Sequence, residues 1–266
     1  MEAITGVFAT RAAAEYALQQ VHQAGIPSGK ITLLTPGSTD QVQKEMQAVP
    51  TEAAEQPGMG NAIGALVGGG IGFTGGSILM ALVPGLGPVT ALGLLGSAIL
   101  GAAGATVGAV AGGKVEQSTY EGLPEDEIFV YEDALRKGRS VVIALADDES
   151  SASLVRGVLN GGGAESIDTA REQWWTGLRS AEASQYTGLG RNFAEDEPFF
   201  RLGFQAAMHA RTRCLEFDQV SAAMDAALED VKQQYPGAKV EEPFLRGYQR
   251  GREHYQQLCD EHRQAA

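Results

Sequence analysis

Two periodicities flank a long stretch of the chain that shows neither. Ala3 to Ala9 reads as a strand, and Thr10 is placed to cap a helix behind it. Ala14, Ala17, Leu18, Val21 and Ala24 keep helical spacing, and Gly25-Ile26-Pro27 stops that helix. Lys30 to Thr35 then predicts a second strand. Past the long stretch, Pro124 to Lys137 predicts a helix with Gly138 as its stop, and Ser140 to Ala146 predicts a strong strand. Glu149 to Leu159 shows Leu154, Val155, Val158 and Leu159 on one helical face, and Ser166 to Asp168 opens a last short strand. With the middle removed the order is βαβ followed by αβαβ. That order predicts a ferredoxin-like α+β domain, residues 1–55 and 114–172, interrupted at its midpoint.

The interruption, residues 56–113, contains no Asp, Glu, Lys, Arg or His. Pro84-Gly85-Leu86-Gly87-Pro88 divides it into two legs, Gly60 to Val83 and Val89 to Gly113. As a helix each leg would reach about 36 Å at about 1.5 Å per residue, enough for a hydrocarbon core of roughly 30 Å. In the first leg Gly60, Gly64, Gly68, Gly72 and Gly76 recur every fourth residue. In the second, Gly93, Ser97, Gly101 and Ala105 share one face, and Gly104, Gly108 and Gly112 share another. Small residues at that spacing let helices approach closely where no hydrophobic effect operates between them. The expectation is a glycine-zipper transmembrane helical hairpin whose second face holds a neighbouring copy. Burial of the hairpins inside a soluble homo-oligomeric shell or ring is the competing expectation. The apolar residues Ile63, Leu66, Val67, Ile71 and Phe73 argue against a mere linker.

Beyond the split domain, Trp174-Trp175 and the polar stretch to Gly190 read as a junction, residues 173–192. A small helical domain follows over residues 193–266, with helices expected at Glu197 to Cys214, Asp218 to Gln234 and Glu242 to His262. Val220, Met224, Leu228 and Val231 form the apolar stripe of the middle one. The outer two are a repeat. Glu197-Pro198-Phe199-Phe200-Arg201 matches Glu242-Pro243-Phe244-Leu245-Arg246, and at the same offset His209 meets His254 and Cys214 meets Cys259. Two His and two Cys are ligands suited to zinc. Their spacing of five within each helix turns the pair about 140° apart, however, so they do not converge on one ion. The repeated Glu-Pro-Phe starts fit a helix first turn. Arg201, Arg211, Arg213, Arg246, Arg250 and Arg252 read first as a solvated face, and second as a surface for an acidic protein partner or lipid headgroups.

Composition sharpens this picture. The 35 glycines far exceed the usual share of about 7% and concentrate in the uncharged block. The net charge of −13 comes from its flanks, which makes nucleic acid an unfavourable partner. Two cysteines make no disulfide framework, and the first residues lack a basic signal-peptide region, so the expected setting is the cell inner membrane with the other parts facing the cytoplasm. No phosphate loop or nucleophile elbow is present, and neither an enzymatic activity nor a cofactor is expected.

The opening Ile4-Thr5-Gly6-Val7-Phe8-Ala9-Thr10-Arg11 and the segment Gly122-Leu123-Pro124-Glu125-Asp126-Glu127-Ile128-Phe129-Val130-Tyr131 through Gly138, with a glycine-rich insertion between them, resemble the heat-induced general stress protein (YflT-type) domain. The resemblance spans roughly residues 1–170. It implies a role in stress response and carries over no catalytic residues.

Overall fold

The computed structural model of the chain describes residues 2–37, 78–83, 86–92, 106–107, 127–209, 213 and 217–265. The zipper glycines Gly60, Gly64, Gly68, Gly72, Gly76, Gly93, Gly101, Gly104, Gly108 and Gly112 lie outside the described residues, as do Arg211 and Cys214. The chain divides into an α/β unit, Met1–Pro124 with Tyr131–Ile167, and a helical unit, Glu125–Val130 with Asp168–Ala266.

In the α/β unit, β1 (Glu2–Phe8) leads to α1 (Arg11–Gln23), β2 (Ile31–Pro36), β3 (Ile78–Val83), β4 (Gly87–Leu92), β5 (Thr106–Val107), α2 (Ile128–Arg136), β6 (Ser140–Ala146), α3 (Glu149–Gly161) and β7 (Glu165–Ser166). The described strands make one antiparallel sheet in the order β5-β3-β4-β2-β6-β1-β7. The fold is α+β. Because β6 runs antiparallel to both β1 and β2, those two are parallel to each other with β6 between them.

The local signals behave as their chemistry dictates. Thr10 caps α1 by accepting from the Ala13 amide at 3.2 Å. Asp148 caps α3 in a reciprocal box with Ser151, and the Ser151 amide donates to it at 2.8 Å. Gly138 follows α2 with φ +76°, the left-handed position that lets the chain turn straight into β6.

Every residue of β6 is buried, so both faces of the sheet are covered. On one face Val142, Ala144 and Ala146 pack with Phe8, Ile31 and Leu33 beneath α1 and α3. The other face presents Val141, Ile143 and Leu145, and the register sets Thr5 and Thr32 on either side of Ile143. Tyr131 of α2 lies over that row, its hydroxyl 3.1 Å from the Thr5 hydroxyl. The Thr32 hydroxyl has no such partner although the residue is fully buried. Replacing it with a methyl of the same shape removes an unsatisfied polar group, so Thr32→Val is expected to stabilise the protein by about 1 kcal/mol, read as a rise in the urea midpoint. A lower midpoint contradicts the assignment.

The largest departure from the sequence reading falls in the uncharged block. Ile78–Val83 and residues 89–92 are expected at the inner ends of two helical legs, with Gly87 and Pro88 in the break between them. They are instead the strands β3 and β4, paired from Val83↔Gly87 to Ile78↔Leu92, with β4 added to the edge of β2. In the second leg Thr106–Val107 is also a strand, β5, paired with β3, and the rest of both legs lies outside the described residues. The turn sits where proline and glycine place it, but the chain on either side of it is extended. A six-residue apolar run bounded by Gly and Pro carries no periodicity that distinguishes strand from helix. Pairing on β2 satisfies the same backbone groups that a helix would satisfy internally. Among the described residues no helix is long and apolar enough to cross a membrane.

The helical unit holds α4 (Ile167–Gly188), α5 (Phe193–Met208), α6 (Phe217–Gln234) and α7 (Glu241–Ala265). The supposed junction is therefore most of a 22-residue helix. α5 begins one turn earlier than expected, leaving Pro198 inside it, and ends at Met208, where His209 turns extended with ψ 142°. A proline there removes one helix bond. Burial of Phe193 against the rings of Tyr186 and Phe200, at 5.7 and 5.5 Å, offsets that loss and draws the helix start back. The stripe read in α6 does face a core: Leu228 and Val231 are buried with Ala207, Phe244 and Tyr248.

The repeated helices pair with each other. Phe200 faces Gly247 and Phe204 faces Gly251, so α5 and α7 run parallel with backbones in contact. The packing repeat is Phe-x-x-Gly, Phe200 with Gly203 and Phe244 with Gly247. It is shifted by one residue from the Glu-Pro-Phe match, which aligns Phe199 with Phe244. Glycine determines this register, because only there can two helix backbones touch.

Candidate functional site

α4 carries a stripe of polar and aromatic residues at alternating spacings of three and four: Glu172, Trp175, Arg179, Glu182 and Tyr186. That spacing puts all five on one side of the helix. Each meets a partner on α5 or α7. Glu172 takes both terminal nitrogens of Arg201 at 2.9 and 2.7 Å. Arg179 grips Glu197 with two bonds of 2.6 Å, and the Trp175 indole donates to the same carboxylate at 2.9 Å. Glu182, only 3% exposed, receives two bonds of 2.9 Å from Arg250. The Tyr186 hydroxyl donates to Asp196 at 2.7 Å. Bidentate arginine–carboxylate pairs of this kind fix orientation as well as adding energy.

The surroundings of each group set its protonation. The hydrogen bonds from Arg179 hold the Glu197 carboxyl below its ordinary value, and those from Arg201 do the same for Glu172. Burial, then the bond and charge of Asp196, push the Tyr186 phenol up to about 12, so it remains a donor and not a base at neutral pH. The pH dependence follows in sign. Both carboxyls bind protons more weakly folded than unfolded, so their stabilisation is full above the unfolded value of about 4.3 and is lost as pH falls through their lowered values. The drop in urea midpoint of the helical unit between about pH 6 and pH 3 is expected to be smaller in Glu197→Gln than in the parent protein. An identical drop in both contradicts the coupling.

Below this lattice α4 and α7 enclose a cavity of about 130 Å³. Phe200 and Leu189 give it apolar walls; Gln185, Gln249, Arg246 and Arg250 give it polar ones. Arg250 is engaged by Glu182, whereas Arg246 differs from the other lattice arginines. Its Nε is buried without a partner, and its terminal nitrogen lies 3.7 Å from Glu242, beyond hydrogen-bond range. Glu242 is itself paired with Arg191.

The arginines read as a solvated face are therefore largely internal. Arg201 and Arg250 hold carboxylates of α4, and Arg213 is buried with its guanidinium 4.9 Å from the Tyr255 ring centroid. The considered metal ligands are distributed otherwise. His209 stacks on Phe129 at 6.4 Å and His254 lies 5.6 Å from Phe204, each against a different ring. Cys259 is half-buried. Among the described residues no group of three or more His, Cys, Asp or Glu is placed to hold a metal. Sequence reasoning missed Glu172 and Glu182, although their three-four spacing with Trp175, Arg179 and Tyr186 was the available signal, and it read Glu197 only as the start of a helix. Comparison with known protein families, with characterised proteins and with solved structures finds no match for this chain.

Proposed function

We propose that this chain is a non-catalytic, self-associating structural protein that attaches to the inner membrane and acts in stress protection. The carrying observation is the stretch of residues 56–113 without one ionisable side chain, in a chain of net charge −13. The α/β unit is read as ferredoxin-like: a split βαβ in which β1 and β2 flank β6, with β7 outside β1 and the apolar segment inserted between the halves. The glycines of the insertion supply the self-associating face. Arginine lattice and glycine-contact helices of the helical unit supply a rigid body that presents itself to a protein partner. Two cysteines in 266 residues suit a reducing compartment on the cytoplasmic side. The resemblance of the first 170 residues to the general stress protein domain supplies the biological context.

A second reading draws on the pairing of β3 and β4 with β2. Segments already satisfied in a sheet favour burial inside a soluble oligomer over insertion into lipid. Liposome flotation of full-length protein separates the two. The proposal expects the chain to rise with the lipid. A lipid-free particle of defined large size supports the oligomer, and a soluble monomer overturns both.

A further inference from the structure

We propose that the cavity between α4 and α7 binds a small organic carboxylate, with Arg246 as the charge partner and Phe200 and Leu189 receiving its apolar part. The other lattice arginines show what this scaffold does with a guanidinium: Arg179, Arg201 and Arg250 are each held by a carboxylate in two-bond geometry. Arg246 sits on the same face of α7 as Arg250, one turn away, yet makes no hydrogen bond. Its buried Nε is unpartnered, and the one nearby carboxylate, Glu242, stands 3.7 Å off and is held by Arg191. The Arg246 side chain is 39% exposed and lines the cavity, and its terminal nitrogens, which make no hydrogen bond, are matched best by a planar anion that takes both at once.

The space defines the ligand further. About 130 Å³ admits roughly four to six non-hydrogen atoms, the size of a short-chain monocarboxylate. Gln185 of α4 lines the cavity and supplies an amide for the second carboxylate oxygen, and Gln249, whose amide nitrogen donates to Glu253 at 3.0 Å, has its second N–H left to offer. The Phe200 ring, 1% exposed, forms an apolar floor that a bare inorganic anion would leave unused. Leu189, 62% exposed, stands at the mouth. This site stands independently of any membrane attachment.

The test is a titration of the full-length protein with sodium butyrate, butyramide and inorganic phosphate, followed by calorimetry or ligand-observed NMR. Butyrate is expected to saturate with a Kd of about 1 mM, in keeping with so small a ligand. Butyramide, equal in shape and uncharged, is expected to bind at least about tenfold more weakly, because the guanidinium gains no ion pair. Arg246→Gln is expected to weaken butyrate by about tenfold or more while helicity is unchanged. Leu189→Trp, at an exposed position, is expected to close the mouth with a similar loss, and Arg156→Gln in the α/β unit is expected to change nothing. No saturable butyrate binding, or binding as tight as the parent's in Arg246→Gln or in Leu189→Trp, overturns the site. Phosphate binding as tightly as butyrate overturns the carboxylate assignment.

Discussion

Gly247→Ala is expected to unfold the helical unit or to part α5 from α7, at a cost of about 3 kcal/mol or more. A Cβ at that position would lie 1.9 Å from the Phe200 carbonyl oxygen and 2.7 Å from its carbon. Non-bonded carbons settle near about 3.5 Å. No rotamer can relieve the clash, because the obstructing atoms belong to the backbone, so the helices must move apart by more than an ångström. That movement also opens the neighbouring approach, where a Cβ on Gly203 would be 2.0 Å from the Phe244 carbonyl oxygen. A control sits in the same unit. Gly177, on α4, has nothing within 4 Å of its Cβ position, so Gly177→Ala is expected to stabilise the unit by about 0.5–1 kcal/mol through helix propensity alone. Urea unfolding followed by tryptophan fluorescence reads both, since Trp174 and Trp175 are buried in this unit. A Gly247→Ala protein as stable as the parent would contradict the backbone contact.

Glu182→Ala carries the second large effect. Its carboxylate is 3% exposed and accepts two bonds from Arg250, whose side chain is 22% exposed. Removing one member of a buried pair leaves the other charge desolvated and poorly matched, which costs about 3–5 kcal/mol. Glu253 also contacts Arg250 and is expected to recover part of that loss, so the lower end of the range applies. The physical origin of the effect is separable by a double substitution. Glu182→Leu with Arg250→Met removes both charges and fills the same volume, and such replacements are often neutral or stabilising. The double variant is therefore expected to be markedly more stable than Glu182→Ala. If the two are equally unstable, the pair acts through shape and not through charge.

These two sites were differently legible. The glycines of α5 and α7 are plain in the sequence, and so is the repeat that contains them, but the repeat match points to Phe199 while the packing uses Phe200. One residue is a rotation of about 100° on a helix, enough to move a side chain from the core to its edge. Phe199 accordingly meets the Tyr235 ring at 5.4 Å, and Phe200 is buried beside Trp175 and Tyr186. The residues of α4 were hidden for another reason. Its stripe is built of Glu, Arg, Trp and Tyr, and a search for apolar periodicity passes over charges that are destined to be buried in pairs.

What the sequence by itself determined is the set of elements with a strong local cause. Thr10 and Asp148 start their helices through side-chain oxygens, Gly138 ends another through a positive φ, and Ser140–Ala146 is a strand because its residues fit no other buried element of that length. Those causes act over a few residues and are complete in a short window. Only the tertiary structure decided that Ile78–Val83 and Gly87–Leu92 become strands, that α4 continues to Gly188 across most of the supposed junction, and which glycine meets which carbonyl. In each of these cases the local preference is nearly neutral, and the deciding energy comes from a partner distant in sequence: the edge of β2, the arginines of α5 and α7, and the backbone of the opposite helix.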